Sequence, residues 1–321
     1  MQVFLINVFC CTGFKTILLS FGGNPDHVVI HGDSAGGGSV ALHLTAYGGR
    51  DENSSLVQLE NPLSFQHNLQ HQNWNGNLTV LQMQPAADWQ DYPYALFDQG
   101  LFVNVPIMFG DVTNEGSVFA PNAASPNDIS TFLKNNYPYL SLADTVTINN
   151  QYPLQTPLPN HAPYFPSASA AYGETTFTCP AIMISIALTY WNDASQVWHY
   201  RYNVQDTNNI ASGLGVPHVF ELPAIFGPGN ANEGSTSYKT YNKNIVPVVM
   251  EYWISFVRFL SPNPGKDASA PHWPTMGTSS AAGGTLRRLV LQTNASVTEN
   301  IPDDQLARCI FWKGLAVKMG Q

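Results

Sequence analysis

The chain has 321 residues, of which 44% are hydrophobic and only 11% are charged. This length suffices for one large α/β domain or two medium ones, and the hydrophobic content excludes wholesale disorder. The formal net charge of −9 argues against nucleic-acid binding, because phosphate contacts require clustered Lys and Arg.

The first twenty residues are apolar enough to resemble a signal peptide, but other features of one are missing. No basic residue precedes the apolar run, Asn7 interrupts it, and no A-x-A-like cleavage site follows. We therefore expect no convincing signal peptide and interpret the segment as a buried helix or a misassigned exon start. No stretch of eighteen uninterrupted apolar residues occurs, so no transmembrane segment is expected.

The hydrophobic pattern predicts strands that alternate with helices. A short buried strand over 27–31 precedes a tight turn over 32–36 and a helix over 37–46. The other predicted elements are a strand over 105–110 with a polar loop over 111–116, a helix that starts at Ser125-Pro126 and runs through Leu133, a helix over 179–190, a strand over 196–203, a long helix over 236–260 that contains Pro247, a strand over 287–293 and an amphipathic helix over Asp303–Met319. This alternation indicates an α/β fold with a mostly parallel sheet and helices on both faces.

Residues 52–80 are rich in Gln, Asn and His and show neither the period of a strand nor that of a helix. One interpretation is a long surface loop, although such loops are uncommon in compact domains. Because the flanking chain is well patterned, we suspect instead a shifted reading frame over 57–72, with a genuine loop insertion as the alternative. Under either interpretation we expect low order in 52–80, and we expect the same in 1–19.

Gly32-Asp33-Ser34-Ala35-Gly36 is a G-x-S-x-G sequence where a predicted strand ends and a predicted helix begins. A sharp turn at this place lifts the serine hydroxyl above the sheet, where it acts as a nucleophile. We expect glycines on both sides because side chains there would collide with the strand or the helix. The start of the helix also directs backbone N–H groups, including that of Ala35, toward a developing oxyanion.

A serine nucleophile needs a base, and the base needs a carboxylate that orients it. His218 lies in a glycine-rich loop after one predicted strand, and Glu115 lies just past another, so both are expected at the carboxyl edge of the sheet. Asp111 is a competing acid closer to its strand, and His199 lies within a strand and would point sideways. Glu221, three residues after His218, is interpreted as a salt-bridge or cap residue rather than a metal ligand.

No C-x-x-C pair or Cys/His cluster indicates a zinc site among the four cysteines, Cys10, Cys11, Cys179 and Cys309. We expect no native partner for the adjacent Cys10 and Cys11. Three N-x-S/T sequons are candidate glycosylation sites, at Asn53, Asn77 and Asn294.

Several segments resemble the type-B carboxylesterases, the cholinesterase-like α/β-hydrolases that include secreted fungal lipases. The segments are FGGNPDHVVI, IHGDSAGGGSVALHLTAYGG, VPIMFGDVTNEGSVF, GLGVPHVFELPAIFG and EYWISFVRFLSPNPG, and the resemblance covers about residues 20–51 and 85–321. It implies an α/β-hydrolase fold with Ser34 as nucleophile, Glu115 as triad acid, His218 as base and Ala35 as an oxyanion-hole donor. It also implies that the chemistry needs no metal or organic cofactor.

The segments CPAIM and ARCIFW also resemble the family, and this resemblance implies a disulfide between Cys179 and Cys309. A disulfide in turn implies a secreted protein. Asp33 departs from the family, which usually has Glu before the serine. Members of the family are usually longer. Their N-terminal half contains several strands and a Gly-Gly-Gly loop that gives two oxyanion donors, and no segment of this sequence resembles that half. We therefore expect a single partial domain over 1–321, an N-terminally truncated member whose N-terminal strands are missing.

The leading hypothesis is a serine carboxylic-ester hydrolase, an esterase or a lipase, impaired by loss of the glycine-rich oxyanion loop. Its partner would be a small-molecule or lipid ester, with no nucleic acid and no membrane span. One alternative is a catalytically inactive, cholinesterase-like binding module, and another is an incomplete gene product without a stable fold. Members that serve only in binding commonly lose the nucleophile, whereas Ser34, Glu115 and His218 are all present here.

Overall fold

The computed structural model describes residues 17–24, 26–45, 48–49, 56–60, 71–72, 78–79, 91–231, 236–277 and 284–321. For the three short ranges between 56 and 79 it describes the backbone. Most of the two stretches expected to have low order, 1–19 and 52–80, therefore lie outside the described residues. The same holds for Cys10, Cys11, Asn53 and Asn77.

A six-stranded sheet with the order β1-β2-β5-β6-β7-β8 organises the described residues. Every neighbouring pair is parallel except β7 and β8, which are antiparallel. The mostly parallel sheet predicted from the alternation of strands and helices is confirmed. The strands are β1 (Val28–Gly32), β2 (Leu56–Glu60), β5 (Ile107–Val112), β6 (Val197–Tyr202), β7 (Arg287–Leu291) and β8 (Val297–Asn300), and a separate antiparallel pair consists of β3 (His71–Gln72) and β4 (Leu78–Thr79).

Helices connect the parallel strands of the six-stranded sheet. In chain order they are α1 (Ala35–Thr45), α2 (Pro93–Asp98), α3 (Pro126–Asn136), α4 (Leu142–Gln151), α5 (Phe165–Gly173), α6 (Cys179–Trp191), α7 (Thr207–Ala211), α8 (Leu222–Phe226), α9 (Ile245–Phe259), α10 (Asp303–Gly314) and α11 (Ala316–Met319). Among the described residues, none of these helices has both the length and the apolar character needed to cross a membrane.

The sheet separates two hydrophobic cores, which follows from the two-residue repeat of a strand. In β5, Ile107 and Phe109 pack into one core, while Met108 and Val112 pack into the other. The first core also receives α6 and α10, and the second receives α9. Because both faces of β5 are covered, packing on both sides holds the carboxyl end of this strand. Glu115 lies three residues after that end, so its position depends on this packing.

The stretch 52–80, for which a long surface loop was one interpretation, contributes a strand to the sheet. Strand β2 lies between β1 and β5, and Val28 pairs with Leu56 while Gln58 pairs with Ile107. The interpretation as a loop was wrong for these residues. The backbone hydrogen bonds to two neighbouring strands define β2, and the sequence of these residues does not contain that information.

Two predicted helices have different bounds in the structure. The long helix expected over 236–260 begins only at Ile245, so Pro247 lies in the first turn of α9, where a missing N–H breaks no intrahelical bond. The helix expected over Asp303–Met319 is divided at Leu315 into α10 and α11. The predicted start at Ser125-Pro126 is confirmed, and Asp128 accepts a hydrogen bond from the Ser125 N–H at 3.0 Å.

Candidate active site

Ser34 lies in a sharp turn between β1 and α1, with a backbone φ of 57°. This left-handed conformation is uncommon for a residue with a side chain and indicates local strain. Gly32 is required here, because a Cβ would lie 2.3 Å from the carbonyl group of Gly36. No described atom lies within 4 Å of a Cβ added at Gly36, so the collision expected there does not occur among the described residues.

A continuous row of hydrogen bonds joins Ser34, His218 and Glu115. The Nε2 atom of His218 lies 2.8 Å from Ser34 Oγ, and its Nδ1 atom lies 2.5 Å from Glu115 Oε2. The three residues are far apart in sequence and come from three different loops at the carboxyl edge of the sheet. The acid–base–nucleophile geometry of a serine hydrolase requires these two contacts.

The triad-acid candidate Glu115 is fixed by its backbone surroundings. It begins a 3-10 turn, Glu115–Val118, and its Oε1 accepts a hydrogen bond from the Val112 N–H at 2.7 Å. The following residue, Gly116, lies against α5 so closely that an added Cβ would be 1.9 Å from the Ser169 carbonyl oxygen. The carboxylate is 2% exposed, so it is held in place away from solvent.

The loop that carries His218 is attached to the loop that carries Glu115. The side-chain oxygen of Asn114 accepts a hydrogen bond from the Val216 N–H at 2.9 Å, and the Asn114 N–H donates to the Val216 carbonyl at 3.0 Å. Val219, directly after the histidine, has φ of 63°, which is strained for a β-branched residue. No sequence pattern indicated these roles for Asn114 and Val219.

Burial controls the protonation of the pair formed by His218 and Glu115. Desolvation lowers the pKa of His218 to about 4, against the opposing charge of Asp33. Burial raises the pKa of Glu115 well above its usual value, the charge of Asp111 raises it further, and the hydrogen bond from Val112 opposes both. A neutral imidazole at pH 7 is the form that accepts a proton.

Two further carboxyl groups neighbour Ser34 and His218 along the chain, that of Asp33, which is half-buried, and that of Glu221, which is fully buried. Burial raises the pKa of Asp33 and also that of Glu221. Glu221 precedes α8 but makes no side-chain cap, and neither of its carboxylate oxygens has a hydrogen-bond partner among the described residues. The expected salt-bridge or cap role of Glu221 was therefore wrong, because this carboxyl is 0% exposed and makes no ion pair and no side-chain cap among the described residues.

Asp111, the competing acid, faces away from the hydrogen-bonded row. Its Oδ2 accepts a hydrogen bond from Thr178 Oγ1 at 2.8 Å, and its Oδ1 lies 3.7 Å from His199 Nε2. His199 is fully buried, and its Nδ1 lies 3.3 Å from Ser185 Oγ. His218 therefore has Glu115 and not Asp111 as its carboxylate partner in the structure.

Aromatic rings enclose the imidazole of His218. The ring of Phe119 meets it edge-on with centroids 5.1 Å apart, and the ring of Phe177 lies 4.6 Å away. Phe177 is buried, whereas Phe119 is 40% exposed. Phe119 therefore offers an apolar surface to any molecule that approaches Ser34 from solvent.

Ala35 is the first residue of α1, so its N–H is one of the groups at a helix start that have no intrahelical acceptor. The residue is exposed and adjoins Ser34. The dipole of the helix adds partial positive charge at the same place. The arrangement suits an oxyanion that forms beside the serine hydroxyl.

The structure contains a disulfide between Cys179 and Cys309, which joins the first turn of α6 to α10. Asn294 lies in the exposed turn between β7 and β8. Within the described part of the chain, no group of three or more His, Cys, Asp or Glu side chains has an arrangement that would hold a metal ion.

A polar cavity of about 900 Å³ lies behind Glu115. Arg201 and Arg288 line it together with Glu299, whose carboxylate accepts hydrogen bonds from both guanidinium groups at 2.7–2.8 Å. Ser34 and His218 do not line this cavity. It is therefore separate from the face on which the serine hydroxyl is reached.

A sequence model described as the carboxylesterase family matches residues 60–306, which is well over half of the chain. The chain belongs to the carboxylesterase family. Glu115 and His218 fall within the matched residues, and Ser34 precedes them. The family membership agrees with the resemblance drawn from the sequence segments.

A solved relative shows the fold of this carboxylesterase-family chain. The crystal structure of EstA from Aspergillus niger matches 99% of this chain with a TM-score of 0.86 and 38% identity, and the chain covers 69% of that protein. The α/β-hydrolase fold implied by the resemblance is confirmed.

Two curated relatives are more distant. Acetylcholinesterase of Bungarus fasciatus is 23% identical over a gapped alignment of 362 positions, which covers 93% of this chain and 57% of the relative. Lipase 2 of Geotrichum candidum is 25% identical over a gapped alignment of 319 positions, which covers 77% of this chain and 53% of the relative. The chain thus spans about half the length of the curated relatives it matches.

Proposed function

We propose that this carboxylesterase-family chain is a serine carboxylic-ester hydrolase that acts through an acyl-enzyme. The observation that carries the proposal is the hydrogen-bonded row Ser34–His218–Glu115, with Ser34 in a strained turn at a helix start. In this proposal Ser34 is the nucleophile, His218 is the base and Glu115 is the acid that orients the base. Relatives named as an acetylcholinesterase and a lipase support ester hydrolysis as the reaction class.

In the first half-reaction, Ser34 Oγ attacks the ester carbonyl carbon while its proton passes to His218 Nε2. Glu115 holds the imidazole by its Nδ1 and stabilises the charge of the protonated ring. The Ala35 N–H donates to the oxyanion of the tetrahedral intermediate. The C–O bond to the alcohol then breaks, and the protonated His218 gives its proton to the leaving alkoxide.

In the second half-reaction, water replaces the alcohol. His218 removes a proton from this water, and the resulting hydroxide attacks the acyl carbon bonded to Ser34 Oγ. Collapse of the second tetrahedral intermediate releases the carboxylic acid and returns the proton to Ser34. Every step is therefore a proton transfer or a stabilisation of negative charge by the same three side chains and the helix start.

The substrate we propose is a small-molecule or lipid ester with an apolar part. Phe119 supports this, because its half-exposed ring lies beside the imidazole of His218. An acyl or alcohol group packed on the ring would gain from burial of apolar surface and would exclude water from the reacting carbonyl.

We further propose that the protein matures in an oxidising, secretory compartment. The disulfide Cys179–Cys309 supports this, because disulfides persist in such compartments and are rare in the cytosol. The exposed Asn294 in an N-x-S sequon is accessible for glycosylation. Mass mapping of protein from a secretory host should find the bridged peptide, and free thiols at both positions would contradict the proposal.

The rate of the polypeptide of residues 1–321 assayed by itself is expected to be low. The resemblance places two further oxyanion donors in a glycine-rich loop that no segment of these residues resembles, and Ala35 supplies one. The loss of a single donor costs about 10²–10³ in rate, so two losses nearly silence an otherwise complete site. A longer version with the upstream glycine-rich half should be active on short-chain nitrophenyl esters.

The test compares acyl-enzyme formation in three versions of the longer protein that carries the upstream glycine-rich half: wild type, Ser34→Ala and Ser39→Ala. Wild type should release a burst of nitrophenol and accept a fluorophosphonate label on one serine, and Ser34→Ala should lose both. Ser39→Ala is the matched control, because Ser39 lies on the same helix and donates only to the Ala35 carbonyl. Equal burst and labelling in Ser34→Ala and wild type would refute the assignment, and a folded wild type with neither would favour the inactive binding module.

A further inference from the structure

Asp111 is a buried carboxylate that the proposed chemistry does not use. It is the fifth residue of β5 and is 2% exposed. Two other elements hold its side chain: Thr178, before α6, donates a hydrogen bond to Oδ2 at 2.8 Å, and His199 of β6 lies 3.7 Å from Oδ1. Burial of a charged group is energetically unfavourable, so packing alone does not explain why a carboxylate occupies this position.

The backbone connects Asp111 directly to Glu115. The peptide group between Asp111 and Val112 carries the N–H that donates to Glu115 Oε1 at 2.7 Å. The orientation of this peptide depends on how the end of β5 is held, and the anchored Asp111 side chain holds it from the side of α6. A displacement at Asp111 would therefore move the donor that positions Glu115.

The charge of Asp111 also reaches the site. It raises the pKa of Glu115, although burial is the larger cause. Burial lowers the pKa of His199, so this neighbour is neutral at pH 7 and does not cancel the charge of Asp111. The titratable groups within electrostatic reach of Asp111 are Glu115, His199, Tyr200, Arg201 and Glu221.

Arg201 is the cation in this set, and its guanidinium is already engaged by Glu299 in two hydrogen bonds. Glu299 is shared with Arg288, so these two cations offset part of the charge of Asp111. The charge of Asp111 nevertheless acts on the carboxyl group of Glu115.

We propose that Asp111 is a positioning residue for Glu115, an inference that rests on the proposed role of Glu115 as triad acid. Its anchored carboxylate fixes the peptide that donates to Glu115, and its negative charge stabilises the His218–Glu115 pair when that pair takes the proton of Ser34. The proton leaves Ser34 Oγ and binds His218 Nε2, so the pair gains one positive charge. The fixed negative charge of Asp111 near Glu115 stabilises the added positive charge, whether the proton resides on His218 or on Glu115.

The two contributions are separated by four variants. Asp111→Asn keeps the shape and removes the charge, and Asp111→Glu keeps the charge. Thr178→Val removes the hydrogen bond to Asp111 and keeps the charge, and Thr178→Ser restores the hydroxyl. Circular dichroism and thermal melting identify any variant that fails to fold, and the Thr178 pair then tests the anchoring by itself.

The decisive measurement is an NMR titration of the His218 ring, assigned with His218→Gln, because it needs no turnover. Asp111→Asn should lower the pKa at which the His218–Glu115 pair takes up its first proton by about 1 unit. Asp111→Glu and Thr178→Val should leave this pKa close to that of wild type. In the longer protein that carries the upstream glycine-rich half, assayed with a nitrophenyl ester, the acid limb of kcat/KM should move to lower pH by the same amount in Asp111→Asn. Thr178→Val should lower kcat several-fold without moving this limb, and Thr178→Ser should recover the rate.

An unchanged His218 titration in folded Asp111→Asn would overturn the electrostatic role. An unchanged kcat in Thr178→Val would overturn the positioning role. If wild type hydrolyses no ester although His218 titrates as expected in the variants, the proposed function fails while the effect of Asp111 on the pair stands, so the two failures are distinguishable.

Discussion

The side-chain oxygen of Asn114 accepts a hydrogen bond from the Val216 N–H at 2.9 Å and so joins the two loops that carry the acid and the base. Asn114 immediately precedes Glu115, and Val216 lies two residues before His218. Gly215 allows this approach, because a Cβ there would lie 2.1 Å from the Asn114 oxygen. The separation of Glu115 from His218 therefore depends on a contact between residues outside the hydrogen-bonded row.

We expect Asn114→Ala to lower kcat by about tenfold or more, because the loss of the bond leaves the Val216 N–H unpaired and lets the His218 loop move from the acid. Asn114→Asp is the matched variant, since its carboxylate oxygen can accept the same hydrogen bond. Steady-state kinetics on a nitrophenyl ester, with melting curves for both variants, checks the prediction. Equal kcat values for the alanine variant and wild type would show that the contact does not position the base.

The packing of Gly116 against α5 gives a second prediction. An added Cβ would lie 1.9 Å from the Ser169 carbonyl oxygen, and backbone atoms cannot yield as a flexible side chain does. Gly116→Ala should therefore cost about 1–3 kcal/mol of stability or more and should displace Glu115. Urea unfolding measures the free energy, and a change below 0.5 kcal/mol would contradict this account.

Gly314→Ala is the control for that experiment. Gly314 ends α10, and no described atom lies within 4 Å of an added Cβ. Ala favours a helix over Gly by about 1 kcal/mol in helix interiors, so this variant should be unchanged or slightly more stable. The difference between the two glycines separates a steric requirement from the general effect of adding a methyl group.

Sequence patterns predicted the parts of the site that short local motifs determine. The turn at Ser34 follows from the glycine-flanked serine between a strand and a helix, and His218 and Glu115 follow from their places after strands. Asn114, Gly116 and the buried carboxyl of Glu221 acquire their roles from residues about fifty to one hundred positions away or from burial. No local sequence pattern indicates such long-range contacts. Strand β2 likewise forms because its backbone pairs with the two neighbouring strands β1 and β5.

The pH dependence of hydrolysis follows from the burial of His218. Burial lowers the pKa of this imidazole from 6.5 to about 4, so the neutral, proton-accepting form persists as the pH falls below 6.5. We expect kcat/KM to stay on its plateau through pH 6 and to fall at lower pH. A rate profile with a nitrophenyl ester checks this, with fluorescence at each pH to show that the protein stays folded. An acid limb at or above 6.5 would contradict the lowered pKa.

Glu299 couples the stability of the fold to pH. Burial of this carboxyl disfavours its charged form, but the hydrogen bond from Arg201 and the charge of Arg288 outweigh burial and lower its pKa from 4.5 to about 2. A lowered pKa means that the stabilisation is complete above pH 4.5 and is lost as the pH falls toward 2. The ion pairs join β6, β7 and β8, because Arg201, Arg288 and Glu299 belong to these three strands.

Glu299→Gln should therefore lower the free energy of unfolding at pH 7, where it leaves the 3%-exposed guanidinium of Arg288 without its carboxylate partner. The difference from wild type should shrink between pH 4.5 and 2, because the native Glu299 is itself neutralised in that range. Asp304→Asn is the control, since this carboxylate is 75% exposed in its pair with Arg308 and should contribute less than about 1 kcal/mol. Urea unfolding at pH 7, 4.5, 3 and 2 measures all three proteins. A Glu299→Gln difference that stays constant from pH 7 to 2 would show that the carboxylate charge does not stabilise this edge of the sheet.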